Sequence, residues 1–155
     1  MERRDFLASG SGASALVLAA AAGLTPAHAQ TAPAWNKLAF DTKSLADVAK
    51  ALGATSAPVE SKDLVLQAPE IAENGAVVRV AAQSNIANTT QIAFVIDKNP
   101  SALAAAFDIP AGTDAAVSTN VKMGQSSNVY ALVKAGDKFF YAVKEVKVTL
   151  GGCGG

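Results

Sequence analysis

Histidine and cysteine are all but missing: the 155 residues hold one of each, His28 and Cys153. That scarcity excludes the usual zinc and copper ligand sets, c-type haem attachment, and Ser-His or Cys-His nucleophilic catalysis. An excess of charge is missing too, because 13 basic residues balance 13 acidic ones and both are scattered singly along the chain. A neutral chain of this kind carries no electrostatic footprint for nucleic acid or for an anionic membrane surface. After the first thirty or so residues no apolar run approaches the ~20 residues that span a bilayer, so no stable membrane association is expected. No repeat of solenoid or propeller period is present. No catalytic residue, metal or cofactor is assigned, and any chemistry must be borrowed from other proteins.

What is present begins with an address. The segment "MERRDFLASGSGASALVLAAAAGLTPAHAQ" carries twin arginines, Arg3 and Arg4, followed by Phe6 and Leu7. An Ala/Leu/Val-rich stretch runs from Ala13 to Leu24, and Ala27 and Ala29 set small residues at a cleavage point. This is the pattern of a bacterial twin-arginine export signal. Residues 1–29 are expected to be removed, which takes His28 with them and delivers the rest to the periplasm. The twin-arginine route carries folded cargo, so folding, often with a partner, precedes export.

The mature chain reads as one domain over residues 30–150. One helix is expected in "SLADVAKALG", with Ser44 as N-cap, Asp47 three residues on, and Gly53 at its C-terminal end. Leu45, Val48, Ala49 and Leu52 share one face of it, and a helix this short must dock on something to persist. The remainder looks like strand. Apolar residues alternate in "DLVLQAP", "AVVRVAAQS" (Val78, Val80, Ala82), "QIAFVIDK" (Ile92, Phe94, Ile96) and "AVSTNVKM" (Val117, Thr119, Val121, Met123). The stretch from Ser127 to Leu150 reads as a hairpin turning at Ala135-Gly136-Asp137. Further turns are expected at Glu73-Asn74-Gly75, Lys98-Asn99-Pro100 and Pro110-Ala111-Gly112. About six or seven short strands behind one short N-terminal helix argue for an all-β fold, an antiparallel β-sandwich. In the last arm the apolar set changes from odd positions (Phe139, Tyr141, Val143) to even ones (Val146, Val148, Leu150). That change predicts a β-bulge or a sheet switch near Lys144-Glu145, or else cover on both faces, one of them by a partner. Glu70, Glu73 and Asn74 read as solvated turn residues, and Ser126-Ser127, with no histidine to activate them, as turn chemistry.

Residues 151–155, "GGCGG", follow the last residue able to pack, Leu150. Glycine gives each joint the widest backbone freedom, so Gly151, Gly152, Gly154 and Gly155 make an arm around Cys153. Three residues separate Leu150 from Cys153, about 10 Å when extended. No cationic neighbour or helix N-terminus lowers the thiol's pKa, so Cys153 reads as a handle to be activated inside another protein. Prenylation needs one more residue after the cysteine than this chain has.

These residues resemble the SoxY family, sulfur-compound carrier subunits of the bacterial thiosulfate-oxidising Sox system. The resemblance rests on the twin-arginine signal, "PEIAENGAVV" from Pro69 to Val78, "VKMGQSS" from Val121 to Ser127, and "VKVTLGGCGG" at the end, which is the most specific. Arg79 stands where many relatives carry proline, a departure that bears on a strand edge and not on the arm. The resemblance implies an immunoglobulin-like sandwich paired in a heterodimer with a SoxZ-like subunit. It implies that Cys153 is the substrate attachment point and Gly151, Gly152, Gly154 and Gly155 a swinging arm. Transient partners would be a SoxXA-like cytochrome, a SoxB-like hydrolase and, where present, SoxCD. On this reading the protein is a non-catalytic covalent carrier of sulfur intermediates during thiosulfate oxidation. The alternative is a structural interaction module whose terminal cysteine forms an intermolecular disulfide. A lone thiol enzyme lacks a visible base, resolving cysteine or charge partner.

Overall fold

The structure is a computed structural model that describes residues 36–149. The export segment 1–29 and the tail 151–155 expected from sequence lie outside the described residues. Two short helices come first, α1 (Lys37–Phe40) and α2 (Leu45–Ala51). Nine strands follow among the described residues: β1 (Val59–Glu60), β2 (Leu64–Gln67), β3 (Ile71–Ala72), β4 (Val78–Ser84) and β5 (Thr89–Ile96). The last four are β6 (Leu103–Asp108), β7 (Ala116–Val121), β8 (Ser127–Ala135) and β9 (Lys138–Val148).

The expected helix is α2. Ser44, extended at φ −138°, accepts a hydrogen bond at Oγ from the Asp47 amide (3.2 Å), and Gly53 takes φ +100° just past the end. A second helix, α1, precedes it, where the sequence predicts one helix alone. Asn36 makes it possible: its Oδ1 accepts from the Ala39 amide (3.2 Å) and its Nδ2 donates to Ala51 O (2.9 Å). One side chain thus caps α1 and ties it to the end of α2.

The strands form two sheets, β2-β4-β7 and β1-β9-β8-β5-β6, with β3 added beside β9. Pairing is antiparallel except at β9, whose outer edge receives β1 and β3 in parallel. The chain visits that edge at β1, leaves to build β2 in the other sheet, and returns at β3. Leu64, Val78, Val80, Ala82, Val121 and Met123 from the small sheet meet Ile92, Phe94, Ile96, Val129, Ala131, Val133 and Val146 from the large one. Phe94 and Phe107 cross edge to face in this core with ring centroids 6.4 Å apart.

A second apolar cluster lies on the other side of the large sheet. There Ala39, Val48 and Ala49 of the helices pack on Ala93, Val95, Leu103, Leu132 and Phe139. The molecule therefore has three layers, small sheet, large sheet and helices, and the middle layer is covered on both faces. This corrects the simple alternation expected for "QIAFVIDK": Ile92 through Ile96 are all buried. Odd and even residues of that run belong to different clusters. It also corrects the expected slip at Lys144-Glu145, because β8 and β9 pair without interruption from Ser127↔Val146 to Ala135↔Lys138. Phe139 and Tyr141 face the helical layer, while Ala142, Val146 and Val148 face the sandwich. The even set is broken only by Lys144, whose ammonium reaches out to Ala68 O (2.7 Å) while its stem stays with the sheet. The register shifts that do occur lie in β5, between Phe94 and Val95 and between Thr89 and Gln91.

Candidate functional site

Cys153, Gly151, Gly152, Gly154 and Gly155 lie outside the described residues, so the site that can be built is the place from which they depart. That place is the end of β9. In the hairpin with β8, Gly136 (φ +60°) takes the first central position, where a type II′ turn uses glycine. The turn sets the register, and with it the edge toward which each β9 amide points. At the far end those amides find two main-chain carbonyls and one side-chain hydroxyl. Lys147 N–H donates to Glu70 O (2.9 Å) and Thr149 N–H to Ala72 O (3.1 Å), both on the β3 side. Val148 N–H points the other way, toward β8, and donates to Ser126 Oγ (2.9 Å).

The β8 ladder ends at Ser127↔Val146, so a side-chain oxygen takes over where the main-chain pairing stops. Ser127, buried at 3% exposure, uses its own hydroxyl to accept the Lys98 amide (3.1 Å). The two serines thus fix neighbouring loops to the sheet. On the opposite side Thr149 Oγ1 donates to Glu73 O (3.4 Å), which closes the collar around the last described residue.

The turn at Glu73-Asn74-Gly75 forms as expected. Asn74 Oδ1 accepts the Ala76 amide (2.9 Å) and Asn74 O accepts the Val77 amide (3.2 Å). Gly75 is where this turn touches the sandwich. Its carbonyl accepts the Met123 amide (2.7 Å), and a Cβ there would collide with Met123 O and stand 2.9 Å from Val148 Cγ1. Only glycine lets the turn approach so closely.

The structure therefore brings together three stretches that are far apart in sequence: 69–78, 121–127 and the end of β9. Glu70, Ala72, Glu73 and Gly75 come from the first, Met123, Ser126 and Ser127 from the second. Glu70 and Glu73 contribute main-chain carbonyls, not carboxylates. Sequence reasoning placed Glu70, Glu73, Gly75, Ser126 and Ser127 in turns and Met123 in a strand, and did not foresee that these segments meet at the root of the tail. Arg79 sits on β4 opposite Asn120 of β7, two residues past the end of the β2 pairing at Gln67↔Ala81. It is flanked by a strand on one side only, as a position tolerant of proline must be.

Among the described residues, no group of three or more histidine, cysteine, aspartate or glutamate side chains stands close enough to hold a metal ion. Farther along β8 a half-buried pair of titratable groups meets: Tyr130 Oη donates to Asp97 Oδ2 (2.9 Å) while its ring meets Tyr141 edge to face at 5.9 Å. Burial first, and then the Asp97 carboxylate, push the Tyr130 phenol above its ordinary value. The arrangement at the end of β9 fixes the point at which a segment leaves the fold.

The family described as "Sulfur oxidation protein SoxY" matches residues 48–153, a span that takes in all three stretches and reaches the cysteine. The solved structure of the sulfur carrier protein SoxY from Chlorobium limicola f thiosulfatophilum is 39% identical, with a TM-score of 0.59 over 67% of this chain and 96% of that one. A superoxide reductase (neelaredoxin) from Ignicoccus hospitalis is 18% identical, with a TM-score of 0.50 over 58% of this chain and 82% of that one, a likeness of fold alone. No curated protein matches.

Proposed function

The chain belongs to the SoxY family of sulfur oxidation proteins, and on that premise we propose that it carries sulfur intermediates covalently on Cys153 during thiosulfate oxidation. The observation that carries this reading is the extent of the family match, which runs unbroken to residue 153. The glycines on both sides of Cys153 support it physically. Gly151, Gly152, Gly154 and Gly155 add no side chain to the segment, so the thiol can swing from Thr149 and enter a narrow channel. The chain has no histidine outside the proposed signal, and it contributes substrate presentation, not catalysis.

The chemistry belongs to partners. The Cys153 thiolate joins the outer sulfur of thiosulfate, and an electron pair passes to a SoxXA-like c-type cytochrome as the S–S bond forms. A SoxB-like hydrolase then adds water across the terminal sulfur–sulfonate bond. Sulfate leaves, and a persulfide stays on Cys153. Where SoxCD is present, it oxidises that sulfane sulfur for a further hydrolytic round. The chain works as a heterodimer with a SoxZ-like subunit, is exported folded by the twin-arginine route, and acts in the periplasm. Co-export of a preformed pair accounts for a folded-cargo signal.

Intact mass of the exported protein from cells oxidising thiosulfate tests the reading. A Cys153 adduct matching sulfur atoms or a sulfonate, lost on reduction and missing in Cys153→Ser, is the expected result. A bare thiol, or a disulfide-linked dimer as the sole modified form, would overturn it.

A further inference from the structure

The collar around the end of β9 is asymmetric. On its β3 side the acceptors are main-chain carbonyls of a strand only two residues long, whose Ile71 is 59% exposed. On its β8 side the acceptor is one hydroxyl, Ser126 Oγ, set against the middle layer of the fold. The main chain cannot do this work, because the β8 pairing has already ended at Ser127↔Val146. Gly75 presses the same rung from below, its carbonyl holding Met123 while its missing side chain makes room for Val148.

We propose that Ser126 is a positioning residue for Cys153: by holding the Val148 amide it fixes Thr149 as the origin of the arm and so sets how deep the thiol reaches into a partner enzyme. This inference rests on the carrier reading above. From Thr149 to Cys153 is four residues, about 14 Å at full extension. A root that opens even one rung adds a residue of slack to so short an arm. The thiol then samples more positions and finds the productive one less often. Loss of a single neutral hydrogen bond makes the opened root about fivefold more populated.

The test uses the full mature chain with its SoxZ-like partner in reconstituted thiosulfate-dependent electron transfer. Ser126→Ala should raise amide exchange at Val148 about fivefold and raise the KM for the carrier by no more than that factor. Alkylation of Cys153 by iodoacetamide should stay at the wild-type rate, and Ser126→Thr should restore both quantities. Inserting one glycine after Leu150 should raise the KM without changing exchange at Val148, and Ser126→Cys, with a weaker acceptor in the same place, stands in if Ser126→Ala does not fold. A KM that stays at the wild-type value while exchange at Val148 rises, or an unchanged KM in the insertion variant, overturns the positioning role. Cys153→Ser separates the two ideas. If it is silent while the other variants behave as wild type, only the positioning role fails. If it supports turnover, the carrier reading fails with it.

Discussion

A methyl group at Gly75 would be driven into the Met123 carbonyl and stand 2.9 Å from Val148 Cγ1, in a turn with no slack. Overpacking of this kind costs about 1–3 kcal/mol, so Gly75→Ala should lower the free energy of unfolding by that amount in urea denaturation. Its amide exchange should rise chiefly at Met123, whose N–H the Gly75 carbonyl accepts. Tyr130 gives a prediction of a different kind. Its phenol is held above its ordinary value by burial and by Asp97, so the folded state keeps that proton more tightly than the unfolded chain does. The stabilisation is fully present below pH ~10 and is lost as pH rises through the folded-state value. Between pH 9 and 11, urea midpoints should therefore fall more steeply for wild type than for Tyr130→Phe. Parallel slopes would remove the argument.

Helix α2 was legible because its start and stop are written in single residues: Ser44 with the Asp47 amide, and Gly53 at positive φ. Ser44→Ala should cost about 1 kcal/mol, read as a shift in the denaturation midpoint with an unchanged slope. The strands β4, β7, β8 and β9 were legible from alternation and from the Gly136 turn. Strand β6 was not, because "LAAAFD" is rich in alanine, which is a weak strand former. Helix α1 was hidden because four residues are too few to show an apolar period; Asn36 caps it locally, but the bond from Asn36 to Ala51 that ties it to α2 is a tertiary contact no local pattern reports. The change of apolar phase in β9 was visible, but its cause lay in other elements. Helices cover the strand near the hairpin, and Lys144 interrupts the inward set farther along. Read as two covered faces, the phase needs no bulge. The collar was the least legible feature. Each of its three segments could be picked out in the sequence, yet their meeting depends on β3 returning to the β9 edge after the excursion through β2. The hairpin register alone would have put Ser127 opposite Val146, and so Ser126 beside the last rungs. The Ser126 hydroxyl on the Val148 amide was one step beyond that count.

At the scale of the molecule, the layers divide the labour. The large sheet is held from both faces, and Val146 and Val148 are the last side chains of β9 to join the sandwich core. Truncation after Leu150 should therefore change the unfolding free energy by less than about 0.5 kcal/mol while abolishing sulfur loading, as calorimetry and intact mass would show together. The position of β9 has a mechanical side as well. The strand is bonded to β8 along most of its length and gripped at its far edge by β1 near one end and β3 near the other. A pull on the tail runs along the strand, so its rungs resist together in shear instead of parting one at a time like a zip. A bead or sensor surface coupled to Cys153 should then hold the protein by its strongest grain. In single-molecule pulling against the N-terminal end of the domain, rupture through that thiol should need more force than pulling it against a cysteine placed at exposed Asn128, which draws the two arms of the hairpin apart from their open end.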